Sequence, residues 1–319
     1  MPKIVTLGGG GGHSQVLKAL KDMPDVEITA ICPSTDSGGS TGILRREYAG
    51  KGYTGDLTKC VTALCVDKGL ADALSFRYEK GSLDGHSVKN ILFHGLEKTQ
   101  GAEEALKTIG TMCGLGKHRV LPVTTQETEL CAHLKVGKTV IGETNIDTLA
   151  RNPLWNPDSH AIADICLKPA ASAAKNVLQA IRSADHIIVC PGDLYSSILP
   201  VLLPKGMRKD LRESKAPVTI ILNIMNKKGE TDGYAAEDFI RKIENHLGRK
   251  ATSILCNDAP IPKQALLTYS LENKTALRVR TRLKDKRIIF APLAKIDEKG
   301  QLLSDPTEIR EALSFISHT

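Results

Sequence analysis

Five consecutive glycines, Gly8, Gly9, Gly10, Gly11 and Gly12, stand directly after the apolar run Lys3–Leu7 and are followed by His13 and Ser14. Glycines let a backbone approach a phosphate without side-chain collision, and a helix starting there adds unpaired N–H groups and the positive end of its dipole. A tight strand-to-helix turn is the competing reading. A second glycine-rich loop, Asp36-Ser37-Gly38-Gly39-Ser40-Thr41-Gly42, follows the run Glu27–Ile31 and carries one carboxylate and three hydroxyls. Asp36 there suits a magnesium ion, a ribose or a reacting hydroxyl, with local backbone capping as the alternative. Asp56 is a further carboxylate available for magnesium or as a base, and it also reads as the N-cap of a helix over 56–66.

Three more segments have polar groups at helix or strand ends. Pro191-Gly192-Asp193-Leu194-Tyr195-Ser196-Ser197 repeats the pattern of strand, glycine turn and helix, so Gly192, Leu194, Tyr195 and Ser196 are candidate phosphate contacts. Asp193 would repel an anion there unless it caps the helix or meets a cation. Asn223 and Asn226 could read a base or sugar edge beside Glu230 and Thr231, or they serve ordinary turn chemistry. His86 and Asn90 are four apart and would share one helical face, as a catalytic pair or as structural residues. Arg278, Arg280, Arg282, Lys284 and Lys286 occupy alternate positions, the pattern of a strand with one charged face. A protected sheet edge explains that face better than a phosphate or an acidic partner.

These groups need a scaffold, and the periodicity supplies one. Strand-length apolar runs alternate with helical patterns along the chain, including helices at 84–98 and 102–112, a strand at Val218–Met225 and a helix at Tyr234–Leu247. The first helix is expected from His13 to about Lys21, and a hairpin at Gly137. Asp305-Pro306-Thr307-Glu308 reads as a capped helix start. The expected fold is a single α/β domain over 1–319, Rossmann-like, a mostly parallel sheet with helices on both faces and a less regular excursion at about 45–165. Right-handed crossovers then put the glycine loops together at the strand carboxyl ends.

With 41% hydrophobic residues but only 4% aromatic, the core must be built from Val, Ile, Leu and Ala, as in buried parallel strands. A net charge of +7 over 319 residues is compatible with a phosphate ligand and does not by itself indicate nucleic acid. The eight cysteines include no Cys-x-x-Cys pair and several lie in apolar runs, which favours reduced, buried thiols and a cytoplasmic protein. No signal peptide is evident, and no apolar run nears the roughly 18–20 residues that cross a bilayer.

Taken in order, the segments 8–14, 35–45, 55–60, 85–90, 141–143, 191–200 and 223–231 resemble those of the YvcK-type gluconeogenesis factors and 2-phospho-L-lactate transferases (CofD). The run Gly38-Gly39-Ser40-Thr41-Gly42-Ile43-Leu44-Arg45 is closer to the YvcK branch. That resemblance implies a UDP-N-acetylglucosamine-like nucleotide-sugar ligand and a regulatory role in carbon metabolism and cell-shape or cell-wall control. No turnover is established for that branch. It also implies phosphate or nucleotide contacts at Gly8–Gly12, Ser14, Asp36, Gly38, Gly39, Ser40, Asn90, Gly192, Leu194, Tyr195, Ser196, Asn223, Asn226, Glu230 and Thr231. The alternative is a transferase moving a phospho-acyl group from a nucleotide diphosphate carrier to a deazaflavin hydroxyl, with Asp36, Asp56 and His86 as catalytic candidates. Magnesium, on Asp36 or Asp56, is the one cofactor considered; no nucleic acid or membrane span is expected, and homo-oligomerisation is left open. Several positions depart from the family pattern: Ser37 stands for a second aspartate, Thr58-Lys59 for Arg-Asn, Asp193 for a small residue, and Gly11 and His13 for a threonine and an aliphatic residue. The missing carboxylate at Ser37 weakens two-carboxylate metal chemistry and with it the transferase alternative.

Overall fold

A computed structural model describes the chain except residues 49–53, 153, 272–273, 281–284, 297–301 and 315–319. Seven strands make the central sheet: β1 (Lys3–Leu7), β2 (Glu27–Cys32), β3 (Arg119–Pro122), β4 (His186–Val189), β5 (Val218–Ile221), β6 (Ser253–Asn257) and β7 (Ile288–Ala291). Their order is β7-β6-β5-β4-β1-β2-β3, and every pairing is parallel. The fold class is therefore α/β, with helices around a mostly parallel sheet, as expected.

Alternation along the strands divides the core between the two faces. Val5, Leu7, Ile187, Val189, Val218 and Ile220 pack on one face, and Ile4, Ile28, Ala30, Ile188, Ile221 and Leu255 on the other. β4 and β5 are buried at every residue, which is why, His186 apart, their runs read as β-branched stretches.

The excursion contributes to this sheet. After helices α2 (Gly39–Tyr48) and α3 (Thr54–Leu64) come three more helices, and then β3, which adds to the outer edge of β2. A three-stranded antiparallel sheet follows, Glu129–Leu134 between Thr139–Ile141 and Ile162–Lys168. Its hairpin turns at Gly137, whose φ of 82° favours glycine. Asp305 caps the helix Pro306–Ala312, accepting from the Thr307 amide at 2.9 Å. Among the described residues no helix is long and apolar enough to cross a membrane.

Three local expectations are corrected. Helix α1 runs Gly10–Lys21, so it begins inside the glycine run rather than at His13. Contacts from elsewhere in the fold hold that first turn, offsetting the poor helix propensity of glycine. The expected strand Val218–Met225 divides: β5 ends at Ile221, and Met225–Lys227 pairs antiparallel with Lys274–Ala276. Between them Asn223 ties to Gly192, its Oδ1 accepting from the Gly192 amide at 3.0 Å and its Nδ2 donating to the carbonyl. The basic alternation is not one strand over its described part. Arg278 makes a single bridge to Ala235, and Arg280 reaches the Gly233 carbonyl and Asp238. Arg282 and Lys284 lie outside the described residues.

The glycine run separates into positions with different tolerances. A Cβ on Gly12 would collide with the Pro191 carbonyl, whereas one on Gly11 meets nothing within 4 Å. Gly12→Ala should therefore lower unfolding stability by about 1–3 kcal/mol through overpacking against backbone. Gly11→Ala should be neutral or stabilise by up to roughly 1 kcal/mol. Urea denaturation of both variants checks this; equal destabilisation would contradict the placement of α1.

Candidate functional site

The sheet order reverses direction between β1 and β4. The chain goes from β1 outward through β2 and β3 on one side, and from β4 outward through β5, β6 and β7 on the other. In doubly wound sheets ligands bind at the carboxyl ends flanking such a point. The turns after those two strands are Gly8–Gly12 and Pro191–Ser197. A cleft of about 290 Å³ opens there, lined by Gly10, Gly11, Pro33, Asp36, Asp56, Lys59, Glu143, Asp147, Asp193, Ser196 and Ser197.

Carboxylates of the chain itself occupy the anion-binding positions at both turns. Asp56 Oδ1 accepts from the Gly10 amide at 2.9 Å, and Lys59 Nζ lies 3.4 Å from the same oxygen. Asp56 thus does not cap its own helix; it is the third residue of α3 and caps the start of α1. A Cβ on Gly9 would collide with Asp56 Oδ2, and one on Gly55 with Asp36 Oδ2. These glycines make room for carboxylates to meet backbone amides. Asp36 Oδ1 accepts from Gly38 at 3.1 Å. At the other turn the buried Glu230 accepts from the amides of Tyr195 at 3.0 Å and Ser196 at 3.2 Å, and from Ser196 Oγ at 2.8 Å. Asp193 meets a cation: Lys227 Nζ lies 2.9 Å from Asp193, 3.1 Å from Glu230, and is bonded to Asp147.

Several of the other candidates hydrogen-bond to nearby parts of the fold. Ser14 Oγ donates to the Gly11 carbonyl at 2.7 Å, Asn226 Nδ2 to the Tyr234 carbonyl at 2.7 Å, and the Lys227 amide to Thr231 Oγ1 at 2.9 Å. The Tyr195 ring is buried, with its hydroxyl 2.7 Å from that of Tyr234. His86 and Asn90 do not share a helical face, because the helix Val88–Gln100 begins after His86 with Ser87 as its cap. His86 Nδ1 lies 2.9 Å from Ser40 Oγ, while Asn90 Oδ1 accepts from Thr58 Oγ1 at 3.0 Å. Neither lines the cleft.

Sequence reasoning missed Lys59, Glu143, Asp147 and Lys227. The Ile141-Gly142-Glu143 segment and the two lysines inside matched segments were the available signals; Asp147 had none. Their arrangement leaves the cleft rich in negative charge. Burial, then the charges of Asp36 and Asp147, push the Glu143 carboxyl up to about 8. Burial, then Asp56, push Asp36 up to about 6, against the pull of Lys59 and the backbone amides of Gly38 and Gly55. Glu230 rises to about 7 through burial and Asp193, opposed by Lys227. Burial disfavours the Lys227 charge, but Glu230, Asp193 and its hydrogen bonds outweigh this and hold the ammonium above the ordinary lysine range.

This is a doubly wound α/β protein with a glycine-walled, carboxylate-rich crevice at its switch point. Residues 4–293 match the family described as 2-phospho-L-lactate transferase CofD, and the chain belongs to that family. It is similar to the gluconeogenesis factor of Halalkalibacterium halodurans, 34% identical with 84% of this chain and 81% of that protein covered. It is also similar to a Thermotoga maritima protein bearing a provisional form of that name, 33% identical over 99% of both chains. A solved structure of a UPF0052-family protein from Bacillus halodurans superposes with a TM-score of 0.87, at 29% identity, covering 98% of this chain and 99% of that one.

The raised Glu143 carboxyl has a defined effect on stability. Its folded value lies above the ordinary 4.5, so its contribution is complete below that pH and is lost as pH rises through about 8. Glu143→Gln removes this titration. Its urea midpoint should gain on wild type between about pH 5 and 8.5, and a constant difference across that range would show that Glu143 ionises normally.

Proposed function

We propose that the crevice binds a nucleotide-sugar diphosphate of the UDP-N-acetylglucosamine kind, taken up with magnesium, and that the chain is a cytoplasmic regulator of carbon metabolism and cell-shape or cell-wall control. The supporting observation is the position of Gly11, in the first turn of α1, facing an open cleft at the switch point across from Ser196 and Ser197. The gluconeogenesis-factor names of the relatives favour a regulatory role.

A bare diphosphate meets unfavourable charge in this cleft. Asp36 and Glu143 both line this cleft with their oxygens flanking Gly38, and a divalent cation held there would relieve that repulsion. Asp36 and Glu143 would hold magnesium, with Asp56 beside them, and the ion would supply neutralising charge for the phosphates. Lys59 adds a cation at the same wall, and Asp36, which lines the cleft, would accept from a sugar or ribose hydroxyl.

A second reading is favoured by one observation. A carboxyl titrating at about 6 inside a cleft suits a general base near neutral pH, so Asp36 fits transfer of a phospho-acyl group onto an acceptor hydroxyl. Phospholactate transfer to a deazaflavin by the purified chain would establish that reading over the first.

Thermal shifts with UDP-N-acetylglucosamine, GDP, GTP and NAD, each with and without magnesium, test the proposal. UDP-N-acetylglucosamine with magnesium should raise the midpoint most, since ligand at about 100 times its Kd adds roughly 2.7 kcal/mol; removing magnesium should diminish the shift. Gly10 has a φ of 70° that strains any side chain, so the cleft is probed instead by Gly11→Val, expected to abolish the shift in a folded protein. Asp36→Asn should weaken binding about tenfold or more. A change below roughly threefold, or no nucleotide shift at all, would sink this assignment.

A further inference from the structure

Beneath the glycine turn, four soft or borderline donors converge from four elements: Cys32 at the end of β2, Cys60 in α3, His13 in α1, and Cys190 just after β4. All four are buried. Cys32 Sγ lies 3.3 Å from Cys60 Sγ, and Cys60 Sγ lies 3.6 Å from His13 Nδ1. The ligand atoms of these three residues all lie within 4.8 Å of one another. Cys190 is buried on the same face of the sheet, close enough to act electrostatically on both His13 and Cys32. None of the four lines the carboxylate cleft.

We propose that His13, Cys32 and Cys60, with Cys190 as the fourth ligand, form a structural zinc site under the Gly8–Gly12 turn. Tetrahedral zinc, with Zn–S near 2.3 Å and Zn–N near 2.0–2.1 Å, requires sulfur–sulfur edges of about 3.8 Å and sulfur–nitrogen edges of about 3.6 Å. The Cys60–His13 edge already matches, the Cys32–Cys60 edge must open by about half an ångström, and the Cys190 side chain, outside the group of mutually close ligand atoms, must turn in to complete the tetrahedron. His13 Nε2 lies 2.8 Å from Thr6 Oγ1 of β1, the outer hydrogen bond that orients a ligating imidazole and fixes its tautomer. Thiolates select against magnesium, which takes oxygen ligands, and the imidazole suits zinc within a Cys₃His set. Zinc displaces the protons of its thiol ligands. It also takes His13 Nδ1 from the Gly8 carbonyl, 2.9 Å away, so the site is joined to the backbone of the glycine turn. The spacing 13, 32, 60 and 190 resembles no zinc motif, because each ligand comes from a different element.

The reduced, metal-stripped full chain, titrated with cobalt(II) and then zinc, tests this directly. About one equivalent of cobalt should produce thiolate-to-cobalt charge-transfer bands and the intense visible absorption of a tetrahedral site, and an equivalent of zinc should remove both. Cys60→Ala should abolish the charge-transfer bands. Thr6→Val, which keeps the buried shape, should weaken zinc roughly tenfold to a hundredfold in chelator competition. Cys256→Ala, a buried cysteine of β6, should leave binding unchanged. If Cys60→Ala does not fold, the wild-type spectrum and Thr6→Val still decide. Absence of charge-transfer bands in wild type, their full retention in Cys60→Ala, or zinc affinity unmoved by Thr6→Val would overturn the site. A Cys32–Cys60 disulfide forming as readily under saturating zinc as without it would also overturn it.

Discussion

The Asp56 carboxylate reaching the Gly10 amide joins α3 to the beginning of α1, and the geometry of the crevice depends on that contact. A side chain on Gly9 would block it, and one on Gly12 would push away the Pro191 backbone that forms the opposite wall. A helix whose first residues are glycine is intrinsically weak, and unsatisfied amides at its start are costly if buried. The carboxylate answers both problems at once. Glu230 repeats the device at the neighbouring turn, where it satisfies the Tyr195 and Ser196 amides from a segment beyond β5.

These internal carboxylates change what the crevice can recognise. Overall the chain is basic, yet its cleft gathers Asp36, Asp56, Glu143, Asp147 and Asp193, with Lys59 as the lysine at its wall. Lys227, which could otherwise meet a phosphate, is committed to Asp147, Asp193 and Glu230. Net charge describes the long-range field, whereas recognition depends on charges within a few ångströms in a partly desolvated site. The carboxyls respond by holding protons to higher pH, an arrangement that a divalent cation or a proton can satisfy and a bare anion cannot.

Different side-chain chemistry lies on either side of one turn. Above the glycines is the oxygen-lined crevice, and below them, on the face of the sheet that carries Ile4, Ile28 and Ile188, lie His13 and the cysteines. The separation follows from the alternation of side chains across a strand: Cys32 packs with Ile28 and Ala30, while Ile31 faces the other core.

Much of the architecture is determined by the sequence alone. The βα alternation specifies a parallel sheet, β1 has the bounds Lys3–Leu7 that its apolar run marks, Gly137 turns a hairpin, and Asp305 caps a helix. These features depend on periodicity, turn residues and caps, which act within a few residues of themselves. Family membership is likewise legible, because its motifs are contiguous. Tertiary structure decides where α1 begins, what fills the anion positions, and which charges share the cleft. Asp56 meets Gly10 across 46 residues, Glu230 meets Ser196 across 34, and Lys227 meets Asp147 across 80. No local pattern encodes such partners: parallel strands bring their carboxyl ends together only after long crossovers, and a carboxylate's burial and charge state follow from neighbours the chain delivers last.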